Sequence, residues 1–326
     1  MPGILLAIIS NTFHETIRQP IYGVVLAATL LVLIFCPSLA MFSMDDDNQL
    51  LIDIGLSTLL LSGLLLGAFS STSVLTEEIE NKTALTVLSK TVRRAVFILG
   101  KFIGLFAAVI LAIYLLVLAL LMVVRHGVLQ TASDKSDLVV ITFGATAGCL
   151  ALIIALVGNY FYRWRFSSTA ILCGAFLGSL ALALLVFIDP QWHFNPANNH
   201  IAWQLWRPIA LTVFAVIILN AVAIMSATRF NMIMTLTICL LVCAFGVMFE
   251  QWLGPIARAR AGLSSYLAWI PLTLLPCLNF YVATNAVYRQ AMVPLNYITL
   301  AAGYAFLYVS ACLLFAICLF RSREIG

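Results

Sequence analysis

A chain of 326 residues that is 63% hydrophobic and 9% charged cannot cover a water-facing surface with polar groups. Its 17 basic and 13 acidic side chains leave a net charge of +4, and its mean hydropathy is +1.09. These values exclude a soluble enzyme, a disordered chain and a disulfide scaffold, and leave a polytopic all-α membrane protein with lipid as the solvent of its apolar faces.

In chain order, Met1–Gln19 alternates Leu5, Ile8, Ile9, Phe13 and Ile17 with Asn11, His14, Glu15 and Arg18. That spacing predicts an amphipathic helix over residues 1–20, lying in the membrane interface and ended by Pro20. Ile4–Ile9 has no basic region before it and no small-residue cleavage site after it, so it does not read as a signal peptide. About 20 apolar residues cross the hydrocarbon as a helix. Eight runs meet that length: Ile21–Phe42, Leu50–Leu75, Phe97–Val124, Leu138–Tyr160, Ser168–Ile188, Ile209–Ala227, Asn231–Phe249 and Ile298–Phe320. Only Thr228-Arg229-Phe230 separates the sixth run from the seventh, which predicts a tight helical hairpin. Within the outer stretch 250–297, Leu263–Leu278 is short and carries Pro271 and Pro276. It reads as a re-entrant or interfacial element. The whole of 1–326 reads as one transmembrane domain.

Basic residues set the expected orientation. With the N-terminus inside, eleven Lys and Arg face inward: Arg18, Lys82, Lys90, Arg93, Arg94, Lys101, Arg163, Arg165, Arg229, Arg321 and Arg323. Six face outward: Arg125, Lys135, Arg207, Arg258, Arg260 and Arg289. The expected chain is therefore N-in and C-in.

Inside the spans little chemistry is on offer. Four G-x-x-x-G pairs occur at Gly63/Gly67, Gly100/Gly104, Gly144/Gly148 and Gly174/Gly178, and internal helix packing is their expected use. Asp53, Asp189 and Glu250 fall near span ends, no His lies within a span, and Lys101 is placed to stretch toward water. The run Ser70-Ser71-Thr72-Ser73 is expected to bond its own helix carbonyls. Eight scattered cysteines read as small apolar packing residues. Trp192, Trp203 and Trp206 read as interfacial anchors.

The inner loop between the second and third spans is the most informative stretch. It runs LTEEIENKTALTVLSKTVRRAVFILGKFIG from Leu75 to Gly104, acidic first and basic later. Ala84, Leu85, Val87 and Leu88 between the two halves predict a short amphipathic helix with acids toward its start, as the helix dipole favours. Three glutamates contribute nothing to a lipid-facing loop, so a protruding knob that docks into a cytosolic partner is expected.

This run, E-x-E-N-K-T-x-x-x-x-L-S-K-x-x-R-R followed by G-K-F-x-G, resembles the permease subunits of ABC type-2 transporters. Phe13, Glu15, Arg18 and Pro20 ahead of the first span agree with that family, as do Phe320, Arg323 and Glu324 after the last. The resemblance implies a coupling loop over residues 76–96, with Glu77, Glu78, Glu80, Lys82, Thr83, Leu88, Ser89, Lys90, Arg93, Arg94, Gly100 and Lys101 as the partner-facing segment. It implies a separate ABC ATP-binding subunit that carries ATP and Mg, a second permease copy or paralogue, surrounding membrane lipid, and residence in the cytoplasmic membrane of a prokaryote. Thr91 stands where relatives often carry proline, and the family usually has six spans, so the hairpin of the sixth and seventh reads as an insertion. No G-x-x-x-x-G-K-[ST] loop is present, so no ATPase activity is expected of this chain, nor any cofactor or metal bound to it, nor a nucleic-acid partner. The sequence is open to two other readings. A scaffold subunit that moves no solute fits the composition equally well. An intramembrane protease would use Glu77 and Glu78, but it needs histidines on later spans and an Arg where Lys82 stands.

Overall fold

The computed structural model describes residues 2–40, 47–80, 94–128, 136–196, 200–258, 275–282 and 293–321. Those residues form nine α-helices: α1 Pro2–Ile17, α2 Pro20–Ala40, α3 Asp47–Glu80, α4 Arg94–His126, α5 Leu138–Tyr162, α6 Phe166–Leu185, α7 Trp206–Ala227, α8 Met232–Arg258 and α9 Leu295–Arg321. Short 3-10 turns stand at Trp203–Leu205 and Leu278–Tyr281. No strand occurs among the described residues, only an isolated bridge between Ile188 and Phe194. All the helices but α1 are long and apolar enough to cross a membrane, and they fall on the eight expected runs. This is an all-α, multi-pass membrane protein. Two helices outrun their apolar runs most: α3, which continues to Glu80, and α8, which runs through Glu250 and Pro255 to Arg258.

The chain divides into two compact units. One comprises Met1–Thr12, Leu64–Phe106 and Ala210–Gly326, the other Phe13–Gly63 and Ala107–Ile209. In the second unit, α2 buries one stripe: Tyr22, Leu26, Thr29, Leu33, Cys36 and Ala40. Tyr22 donates its hydroxyl to the Ala108 carbonyl at 2.7 Å, so its one polar atom is paired inside an apolar face. Helices α5 and α6 form a close hairpin. Ala147, Ala151, Ala155 and Gly158 recur one turn apart on the buried face of α5 and let the two backbones approach. Gly174 and Gly178 of α6 receive Leu115 and Leu118 of α4, each 3.3 Å from where a Cβ would stand. Gly148 has open space at that position and plays no such part. In the first unit, α7 is the most enclosed span, with 67% of its apolar window buried.

A buried ion pair closes one end of the second unit. Asp137 caps α5, accepting from the Val139 and Val140 amides at 3.1 and 3.2 Å. It also accepts from Arg125 Nε at 3.2 Å. The rest of that guanidinium donates to the Leu185 carbonyl and, at 2.8 Å, to the Ile188 carbonyl. One side chain thus satisfies orphan carbonyls at the end of α6 and the charge at the start of α5, from its own place at the end of α4. Arg125→Met leaves Asp137 buried without its counter-charge, and is expected to cost about 3–5 kcal/mol. A thermal melt of the variant in detergent, set against wild type, checks it.

Candidate functional site

The resemblance directs attention to the segment from Glu77 to Lys101. Lys82, Thr83, Leu88, Ser89, Lys90 and Arg93 lie outside the described residues, as does the amphipathic helix expected around Leu85. Glu77, Glu78 and Glu80 belong to the end of α3, because Thr-Glu-Glu-Ile-Glu contains no Gly or Pro to stop a helix leaving the span. The acids therefore stand at a helix C-terminus, not at the start of a separate helix as expected. Arg94 opens α4, and Gly100 and Lys101 follow about two turns on.

The start of α4 is tightly held within its unit. A Cβ on Gly100 would stand 2.7 Å from Ile8 Cγ2, and one on Gly104 would stand 2.6 Å from the Ile9 carbonyl oxygen. The pair is the seat on which α1 crosses α4, the internal use expected of such spacing. Leu5, Ile8 and Ile9 face that seat, and so does Thr12, which is fully buried. Beside it Phe97 stacks on Phe320 of α9, with centroids 5.8 Å apart and planes 20° from parallel. Lys101 does not stretch to water. It is 2% exposed, with its ammonium 5.8 Å from the Phe97 ring centroid, a distance at which the ring face attracts a cation. The end of the charged run, the N-terminal helix and the last helix thus meet in one cluster.

Sequence reasoning missed Asn220. It is fully buried on the apolar helix α7, and neither carboxamide atom has a hydrogen-bond partner. Its Oδ1 lies in the space that a side chain at Gly67 of α3 would fill. The only signal available was the Asn itself inside a predicted span, where ionisable residues drew the attention instead. The hydroxyls further along α3 behave as expected. Ser71 donates to the Ala68 carbonyl, and Thr72 to those of Ala68 and Phe69.

Of the Leu263–Leu278 stretch only 275–278 is described. There the backbone bends into a 3-10 turn that is clasped between α8 and α9. The Pro276 carbonyl sits 2.6 Å from where a Cβ of Gly246 would be. The Cys277 amide donates to the Tyr304 hydroxyl at 3.1 Å, and Tyr281 donates to the Ala301 carbonyl at 2.8 Å. The Cys277 thiol donates to Glu250 Oε2 at 3.7 Å, while Glu250 Oε1 pairs with Arg258. Burial first, and then the Glu250 carboxylate, pushes the thiol up to about 11. Cys277 therefore stays protonated at neutral pH, where it serves as a donor and not as a nucleophile.

No protein-family model and no curated protein sequence matches the chain.

Two substitutions test these contacts. Gly104→Val puts methyl groups where the Ile9 carbonyl lies, so α1 must lift from α4. Hydrogen exchange is expected to show lost protection over residues 2–12, with protection in α5 and α6 unchanged. Asn220→Leu keeps the branching of the side chain and removes two unpaired polar atoms, and should stabilise the fold by about 1–3 kcal/mol, read as a raised melting temperature in detergent.

Proposed function

We propose that this chain is the permease subunit of an ABC transporter, driven by ATP that a separate nucleotide-binding subunit hydrolyses with Mg. The observation that carries the reading is that the charged run resembling a coupling segment joins α3 and α4. At 34 and 33 residues these are the two longest helices described. A helix of that length is about 50 Å, against roughly 30 Å of hydrocarbon, so each has length to spare for a lever outside the lipid. The seat of α1 on Gly100 and Gly104 and the Phe97–Phe320 stack support the same reading. They hand a displacement at the start of α4 on to the N-terminal and C-terminal helices by direct packing. In this account Glu77, Glu78, Glu80, Lys82 and the arginines at 93 and 94 grip the partner. Closure of the partner on nucleotide becomes helix movement in the membrane.

The test is recovery of a partner. Tagged wild-type chain purified from its native membranes in mild detergent is expected to bring down a subunit that hydrolyses ATP, and the chain alone to hydrolyse none. Charge reversal at Arg93 and Arg94 should lower that recovery about tenfold, as expected for loss of charge-assisted contacts in an interface. Wild-type chain that recovers no ATPase, or a reversed variant that recovers as much as wild type, overturns the reading.

A further inference from the structure

The turn between α5 and α6 has a fixed geometry that the proposed transport role does not account for. Trp164 folds back so that its ring occupies the space a side chain at Gly158 would need. The Trp164 amide donates to the Gly158 carbonyl at 3.0 Å, and Asn159 Nδ2 donates to the Trp164 carbonyl at 2.6 Å. Arg163 takes up a left-handed backbone, φ 55°, to make the reversal. The turn is therefore preformed, with Arg163 and Arg165 on either side of a fixed indole.

Both arginines are exposed, and neither has a carboxylate partner among the described residues. From Leu138 to Leu185 the hairpin contains no Asp, Glu or Lys, so these two guanidiniums are its entire charge. Tyr160, Phe161 and Tyr162 beside them are 81%, 72% and 69% exposed. Tyr162 also stacks on Trp164, with centroids 5.3 Å apart. Two membrane helices meeting at a turn place these rings where acyl chains give way to headgroups, the level that Tyr and Trp favour. The abundant anion at that level is the lipid phosphate, which a guanidinium can bind through two parallel hydrogen bonds. A second copy of the same patch is a poor occupant, since two-fold pairing would set arginine against arginine.

We propose that the α5–α6 turn is a binding site for an anionic phospholipid. Arg163 and Arg165 hold its phosphate, and the Tyr160–Tyr162 rings with Trp164 pack against the glycerol and the upper acyl chains. The site selects anionic over zwitterionic headgroups, because nothing in the hairpin offers a carboxylate to a choline.

Native mass spectrometry of the full chain tests this, after exchange into micelles that contain equal amounts of phosphatidylglycerol and phosphatidylcholine. Wild type is expected to retain phosphatidylglycerol in preference by about tenfold, the effect of one charge-assisted contact. Arg163→Gln with Arg165→Gln should remove the preference, and Arg258→Gln, an exposed arginine elsewhere, should leave it intact. The lysine pair R163K/R165K keeps the charge but loses the paired geometry, and should retain an intermediate preference. Equal retention of the two lipids by wild type overturns the proposal without any variant. So does a glutamine pair that keeps the full preference, or R258Q that loses it.

Discussion

Water cannot follow the chain into the hydrocarbon, so a polar atom buried there must find its partner on the protein. Most of this structure can be read as the working out of that constraint. Thr29, Ser62 and Thr72 donate to carbonyls three or four residues back in their own helices. Tyr22 reaches across to a carbonyl of another helix. Arg125, the most demanding group, is placed at a helix end, where it meets a carboxylate and two orphan carbonyls at once. Asn220 departs from the pattern with both atoms of its amide, in the middle of a span and against the backbone at Gly67. In a protein proposed to change shape, that is a natural place to look for a contact made in one state and broken in another.

The same constraint explains what the sequence made legible. Spans declare themselves because lipid tolerates almost no charge, and all eight apolar runs became helices. The Gly100/Gly104 and Gly174/Gly178 spacings are readable as close packing, whereas Gly148 of the Gly144/Gly148 pair faces open space. Long-range polar pairing was not legible. Arg125 and Asp137 lie twelve residues apart on either side of a loop. By composition they are two outer charges among several, and only the fold brings the end of α6 against both. Distance to the span end predicts that Lys101 stretches to water, a measure blind to its burial beside the Phe97 ring. The spacing of Ala84, Leu85, Val87 and Leu88 predicts a helix with Glu77, Glu78 and Glu80 toward its start. A change of polarity is not a helix stop, and α3 runs through it.

The candidate site depends on α4 more than on any other element. Its start carries the last residues of the charged run, takes α1 on two glycines and touches α9 through one aromatic stack. Its end carries Arg125. The clasp around Cys277, by contrast, ties a short non-helical segment to α8 and α9, with all of its named polar atoms paired. It behaves as scaffolding.

The seat of α1 also bears on how the chain is made. This helix is synthesised before the glycines that receive it, which follow roughly a hundred residues later on a helix that must itself be inserted. Until then Leu5, Ile8 and Ile9 have only the bilayer surface to lie on. An amphipathic character that looks redundant in the finished packing is what keeps α1 parked, soluble in neither phase alone, until its berth exists.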